Sequence, residues 1–186
     1  MRGAILALLL LAACRTETAA LPEPATMTES AVGHFCQMNV LEHPGPKGQI
    51  WLKDVLSPLF FSQVRDVVAY QRMPEQSHEI VVAYVNDMSQ APSWEHPGVD
   101  NWMRAEDAFY VVGSARAGGM GAPEIVPFSQ RADADAFADQ HGGSVMQLAE
   151  IPDSAALAPV GAEPESPQDQ GDYAARLRAL SNEVKP

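Results

Sequence analysis

The segment His34-Phe35-Cys36-Gln37-Met38 carries three donor side chains at alternate positions. On a strand, residues i, i+2 and i+4 share one face. That spacing predicts an imidazole, a thiolate and a thioether aimed the same way. Thiolate and thioether form a soft donor set, which selects Cu(I) over harder ions. A fourth donor lies far along the chain, in Ala117-Gly118-Gly119-Met120-Gly121-Ala122-Pro123. A glycine-rich loop has no core to fill, and its glycines let the backbone bend a side chain toward a ligand. Met120 therefore reads either as a ligand or as an exposed loop methionine. Cys36 reads either as a ligating thiol or as an inert buried cysteine, and His34 either as a ligand or as a solvated histidine at the start of a strand.

The remaining candidates have plainer readings. Met73 and Met146 lie on apolar periodic segments and read as core, the usual place of a methionine. Met27 falls in a stretch without periodicity and has no evident role. His43 opens the turn His43-Pro44-Gly45-Pro46-Lys47-Gly48 and reads as structural, and His96 sits in another turn, Glu95-His96-Pro97-Gly98. His141 precedes Gly142-Gly143, where a helix C-terminus favours a cation. Enzyme signatures are missing: there is no G-x-x-x-x-G-K-[ST], no G-x-S-x-G and no H-E-x-x-H. Without C-x-x-C, dithiol redox catalysis is also disfavoured. The expectation is a binding protein, not an enzyme.

These donors need a scaffold and an address. Arg2 and the apolar run Ala4–Ala13 read as a secretory signal peptide over residues 1–13, since the run is too short to span a bilayer. Leu11-Ala12-Ala13-Cys14 resembles the bacterial lipobox, in which the cysteine is lipidated and becomes the first residue of the mature protein. Lipid on Cys14 would anchor the chain to a membrane from the periplasmic side. Arg15, where other bacterial lipoproteins can carry Asp, leans toward the outer membrane. If Cys14 carries lipid, Cys36 has no intramolecular partner, and a lone thiol in an oxidising compartment points to reactivity or ligation. The formal charge of −12, from 12 basic and 24 acidic residues, excludes nucleic-acid binding through phosphate neutralisation.

Residues 14–31 read as a lipidated tether and residues 154–186 as a flexible tail. The tail carries a possible short helix, marked by Tyr173, Leu177, Leu180 and Val184. Between them lies a weak internal repeat. Residues 32–88 read as strand His34–Val40, strand Gln49–Val55, helix Ser62–Met73 and strand Ile80–Asn86. Residues 89–153 read, after a connector running over 87–105, as strand Ala108–Gly113, strand Glu124–Phe128, helix Arg131–Gln140 and strand Ser144–Ile151. Both helices follow the same tripeptide, Phe61-Ser62-Gln63 and Phe128-Ser129-Gln130, whose serine suits an N-cap. The fold class is α+β, with two consecutive ββαβ units whose sheets pack on one another because neither unit has much core alone.

One family matches the ordered set of segments. Phe35-Cys36-Gln37-Met38, Glu42-His43-Pro44-Gly45-Pro46-Lys47-Gly48-Gln49-Ile50, Pro58-Leu59-Phe60-Phe61-Ser62, Ala83-Tyr84-Val85-Asn86-Asp87, Phe109-Tyr110-Val111-Val112-Gly113-Ser114 and Gly119-Met120-Gly121 leading to Val126-Pro127-Phe128 resemble the NosL family. These are lipoproteins accessory to nitrous oxide reductase. The resemblance covers residues 32–152. It implies two ββαβ units similar to part of an organomercurial lyase, Cu(I) binding, and delivery of copper for the copper–sulfur cluster of nitrous oxide reductase. It also implies an ABC-type maturation complex as a partner. The family's ligands fall on Cys36 and Met38, with Met120 matching a loop methionine and His34 left open. Three other classes compete: a carbon–metal lyase, which would need more thiols than Cys36; a scaffold of the maturation complex that binds no metal; and a sink for another ion such as Zn²⁺, against which the sparse histidines argue.

Overall fold

The computed structural model describes residues 20–159. Cys14, the signal peptide and most of the tail lie outside the described residues. The first sheet has four antiparallel strands in the order β2-β1-β3-β4, with β1 at Gly48–Leu52, β2 at Leu59–Phe61, β3 at Ile80–Asn86 and β4 at Trp102–Arg104. The second has three in the order β6-β5-β7, with β5 at Phe109–Val112, β6 at Val126–Phe128 and β7 at Ser144–Gln147. Helix α1, Val64–Arg72, joins β2 to β3, and α2, Arg131–His141, joins β6 to β7. Each unit therefore runs strand, strand, helix, strand, with its first strand in the middle. The two ββαβ units are present, but the first is assembled from different strands than the sequence pattern predicts.

The segment predicted as its first strand, His34–Val40, is not a strand. It is a turn between Val32 and Asn39, which pair as an isolated bridge. Gln37 adopts φ 57°, and the amide of Gln37 donates to the carbonyl of Gly33 at 2.9 Å. The left-handed Gln37 breaks the pleat that the alternation predicts. The missing strand is β2. Its three residues, Leu59-Phe60-Phe61, are an unbroken apolar run with no alternation to read, and β4 lies in the stretch predicted as connector.

The helices bury apolar stripes at helical spacing. Val64, Val67 and Val68 of α1 face the first sheet, and Ala134 and Phe137 of α2 face Val111, Val126 and Phe128 of the second. The main core is common to both units. Ile50, Phe61, Val68 and Val85 from the first pack with Tyr110 and Ile125 from the second. Tyr110 is anchored there by donating its hydroxyl to the carbonyl of Ala105 at 2.6 Å, and burial pushes its phenol well above the ordinary range.

Two further expectations change. Residues 20–31 pack on the globule instead of trailing as tether. Met27 is 2% exposed and clusters with Ala31 and Val40, and Ala25 exchanges hydrogen bonds of 2.8 and 2.9 Å with the side chain of Gln49. The start of the predicted tail also docks. Helix α3, Asp153–Leu157, packs on α1, where Arg65 donates from Nε to the carbonyl of Ala155 at 2.9 Å and from Nη2 to that of Ala158. Met146 packs against the core as expected, whereas Met73, predicted as core, stands half-exposed just past the end of α1.

Candidate functional site

Two turns meet over the start of α1. The first holds Cys36. It is pinned alongside β2 by the amide of His34, which donates to the carbonyl of Phe60 at 2.7 Å. It is closed by the amide of Gly33 donating to the carbonyl of Met38 at 2.9 Å. Gly33 is required here by close approach: a Cβ would come within 2.5 Å of Cys36 Sγ and 2.8 Å of Ser62 Oγ. The half-buried Cys36 Sγ lies 3.0 Å from Ser62 Oγ. Ser62 is only 2% exposed. The predicted N-cap role of this serine is not realised: Gln63 occupies the cap position, and the hydroxyl serves the thiol instead.

The second turn holds Met120. The amide of Met120 donates to Gln63 Oε1 at 3.3 Å, and Gly119 lies so close to the first unit that a Cβ would stand 2.7 Å from the carbonyl oxygen of Ser62. His43, read from sequence as structural, fastens this turn as well. Its Nδ1 lies 3.0 Å from the carbonyl oxygen of Gly119. A carbonyl can only accept, so Nδ1 carries the proton, and in the neutral ring Nε2 keeps its lone pair. Nε2 is buried and has no partner among the described residues.

The predicted donors therefore divide. Cys36 and Met120, 84 positions apart in the chain, are brought to the same dipeptide, Ser62-Gln63. Met38 stays beside Cys36 through the turn, with its carbonyl 3.9 Å from Cys36 Sγ, and its side chain is 42% exposed; that of Met120 is 41% exposed. His34 does not share a strand face with them. Its ring sits in an aromatic cluster with Phe35, Phe61 and Tyr70, at centroid distances of 5.1, 5.8 and 5.4 Å. Among the described residues no three His, Cys, Asp or Glu side chains gather as a metal site.

Two buried titratable side chains, Glu124 and Lys47, lie close enough for each to feel the other's charge. Glu124 is fully buried, and burial pushes its carboxyl up to about 8, against the opposing pull of the amides of Arg65 and Ile125. Lys47 is pushed down to about 8 by burial, with the charge of Glu124 opposing, while its ammonium donates to the carbonyls of Pro44 and Gly45. Sequence reading missed Ser62, Gln63, His43 and Glu124 as site residues. For the first two there was a signal, the repeated Phe-Ser-Gln, but it read as a helix cap.

The mixed architecture of helices and two antiparallel sheets agrees with comparison to known proteins. The model of the family described as NosL matches residues 24–156. The chain belongs to the NosL family. It is 56% identical over 175 residues, 94% of this chain and 91% of the relative, to the copper-binding lipoprotein NosL of Achromobacter cycloclastes. It is 34% identical over 129 residues, 69% of this chain and 66% of the relative, to the copper-binding lipoprotein NosL of Stutzerimonas stutzeri. The crystal structure of the copper chaperone NosL from Shewanella denitrificans superposes with a TM-score of 0.65 at 36% identity, covering 70% of this chain and 96% of that one. The mixed helix-and-sheet architecture with two antiparallel sheets is thus that of a solved NosL protein.

Proposed function

We propose that this chain is a lipid-anchored periplasmic metallochaperone that binds Cu(I) and hands it on for assembly of the copper–sulfur centre of nitrous oxide reductase. Its partners in this reading are the reductase and the ABC-type maturation complex, and Cys14 carries the lipid. The reading rests on one observation: the Cys36 turn and the Met120 turn abut the same Ser62-Gln63 dipeptide, which brings the half-buried thiol and the backbone of Met120 to one helix start, and both Met38 and Met120 are half-exposed. The names borne by its relatives support copper as the cargo. Cys36, Met38 and Met120 are the ligands. The thiolate supplies the anionic soft donor, and the two thioethers complete the low coordination number that Cu(I) accepts. His34 serves as a further donor only if its ring leaves the aromatic cluster.

Such a site suits transfer better than storage. Few ligands, two of them neutral and exposed, let a partner's ligand enter before the resident ones leave. Nothing in the mechanism calls for turnover, and the chain acts by exchange. An anaerobic Cu(I) titration against a competing chelator tests the reading. Tight one-to-one binding is expected for the native chain. Cys36→Ala should weaken it by at least about a hundredfold, roughly 3 kcal/mol. Equal binding by Cys36→Ala and the native chain would refute copper ligation here and leave the scaffold reading in its place.

A further inference from the structure

Met120 is a neutral, weak donor on a side chain with three rotatable bonds, and ordering such a side chain costs entropy. What it contributes to a metal site therefore depends on how firmly its backbone is held. Two buried polar side chains that play no part as ligands lie against that loop, and one of them, Gln63, bonds the amide of Met120. Gln63 is 3% exposed. Its Nε2 donates to Asp66 Oδ1 at 2.8 Å, which turns its Oε1 toward the amide of Met120. Glu124 is 1% exposed. Its Oε1 accepts from the amide of Arg65 at 3.0 Å, in the first turn of α1, and from that of Ile125 at 2.9 Å. Its Oε2 has no partner among the described residues.

That orphaned oxygen lies against the backbone of Gly118. A Cβ on Gly118 would collide with Glu124 Oε2 and stand 2.9 Å from Gln63 Oε1. The loop closes over these two oxygens through Gly118 donating to the carbonyl of Ala122 at 2.8 Å and Gly121 donating to that of Gly118 at 2.9 Å. A buried carboxyl with one oxygen unsatisfied disfavours folding. An apolar side chain of similar volume would fill the space at lower cost, but it would not tie the first turn of α1 to the strand after the loop.

We propose that Gln63 and Glu124 form a buried latch that positions Met120 as a copper donor opposite Cys36. The latch spans the two units: Gln63 comes from the end of the first unit's β2–α1 link, and Glu124 precedes β6 of the second. Both are positioning residues, acting only through Met120. The inference rests on the proposed copper ligation by Met120 and adds what makes that ligand effective.

The test uses the full chain extracted in detergent, titrated anaerobically with Cu(I) against a chelator. The variants are Gln63→Ala, Glu124→Ala, Glu124→Gln and Gly118→Ala, each alone and combined with Met120→Ala. Copper K-edge X-ray absorption of each loaded protein counts sulfur neighbours. Gln63→Ala and Glu124→Ala should lower affinity about tenfold, as outer-shell losses do, and should each cost one sulfur neighbour. Neither should lower affinity further once Met120 is already alanine. Glu124→Gln keeps the shape and the accepting oxygen and should behave as the native chain. If Glu124→Ala does not fold, Gly118→Ala presses on the same contact and should reproduce the Gln63→Ala result. Unchanged affinity and sulfur count in Gln63→Ala and Gly118→Ala, while Met120→Ala lowers both, overturns the latch alone. So do losses that add to that of Met120→Ala. If Met120→Ala itself binds copper as the native chain does, its assignment as a ligand falls and the latch falls with it.

Discussion

The two units begin their helices with the same three residues and use them differently. In the first, Ser62 and Gln63 are buried, and their side chains reach out of the unit, Ser62 to the thiol of Cys36 and Gln63 to the amide of Met120. In the second, Ser129 is half-buried and Gln130 exposed. There the backbone amides do the work: Ser129 donates to Asp87 Oδ1 at 2.9 Å and Gln130 to Ser89 Oγ at 3.2 Å. One copy of the tripeptide is the floor of a candidate site, and the other is an ordinary helix start tied down by side chains from the strand connector. Burial separates them. The first start lies beneath two turns that belong to no sheet, and the second faces solvent.

The comparison breaks most visibly at the serines. Ser62→Ala removes the hydroxyl beside the thiol and should weaken Cu(I) binding roughly 10- to 100-fold, the range seen when an outer-shell partner of a metal ligand is lost. Ser129→Ala should leave binding unchanged. Matching titrations of the two variants decide the matter. Equal effects would mean that the repeat, not the turn above it, gives these residues their roles.

The second helix start offers the reverse case. Asp87 Oδ1 accepts from the amides of both Ser89 and Ser129, and the residue is buried. Asp87→Ala strands those donors and should cost about 1–3 kcal/mol of stability, with copper affinity intact. Chemical denaturation read beside the titration measures both at once. A loss of affinity equal to that of Ser62→Ala would show that the two starts are coupled.

The sequence carried the fold better than it carried the site. Periodicity located both helices, β3 and the whole second unit, because apolar residues repeat there at the spacing of the element they form. It failed at His34–Met38, where alternation came from a turn closed by Gly33 and Gln37. The argument that these donors share a strand face fails with it. What places Cys36 beside the Met120 loop is tertiary: a hydroxyl, a glutamine amide and glycines that admit close approach. None of these has a periodic signature. Met27 illustrates the same limit. It lies in a stretch without pattern, yet it is buried because that stretch packs Met27 and Ala31 against Val40 of the globule, not because it forms an element.

The smallest effect concerns acidity and again separates the two helix starts. The first turn of α1 is held by Glu124, whose carboxyl burial raises from 4.5 to about 8. A carboxyl with a raised folded-state pKa binds its proton more tightly when folded. Its contribution is therefore full below about 4.5 and is lost as pH rises toward 8. Lys47 runs the other way: lowered from 10.5 to about 8, it weakens the fold below 8 and less so as pH rises to 10.5. Together they place a shallow minimum of apo-protein stability near pH 8. The melting temperature should fall as pH rises from 5 to 8. Glu124→Gln cannot ionise, so it should flatten the profile over that range, whereas Asp87→Ala should lower the melting temperature through its stranded donors. Thermal melts of the three proteins at matched ionic strength measure this. If Glu124→Gln keeps the native slope, the titration belongs to some other group, and the first helix start is no more sensitive to pH than the second.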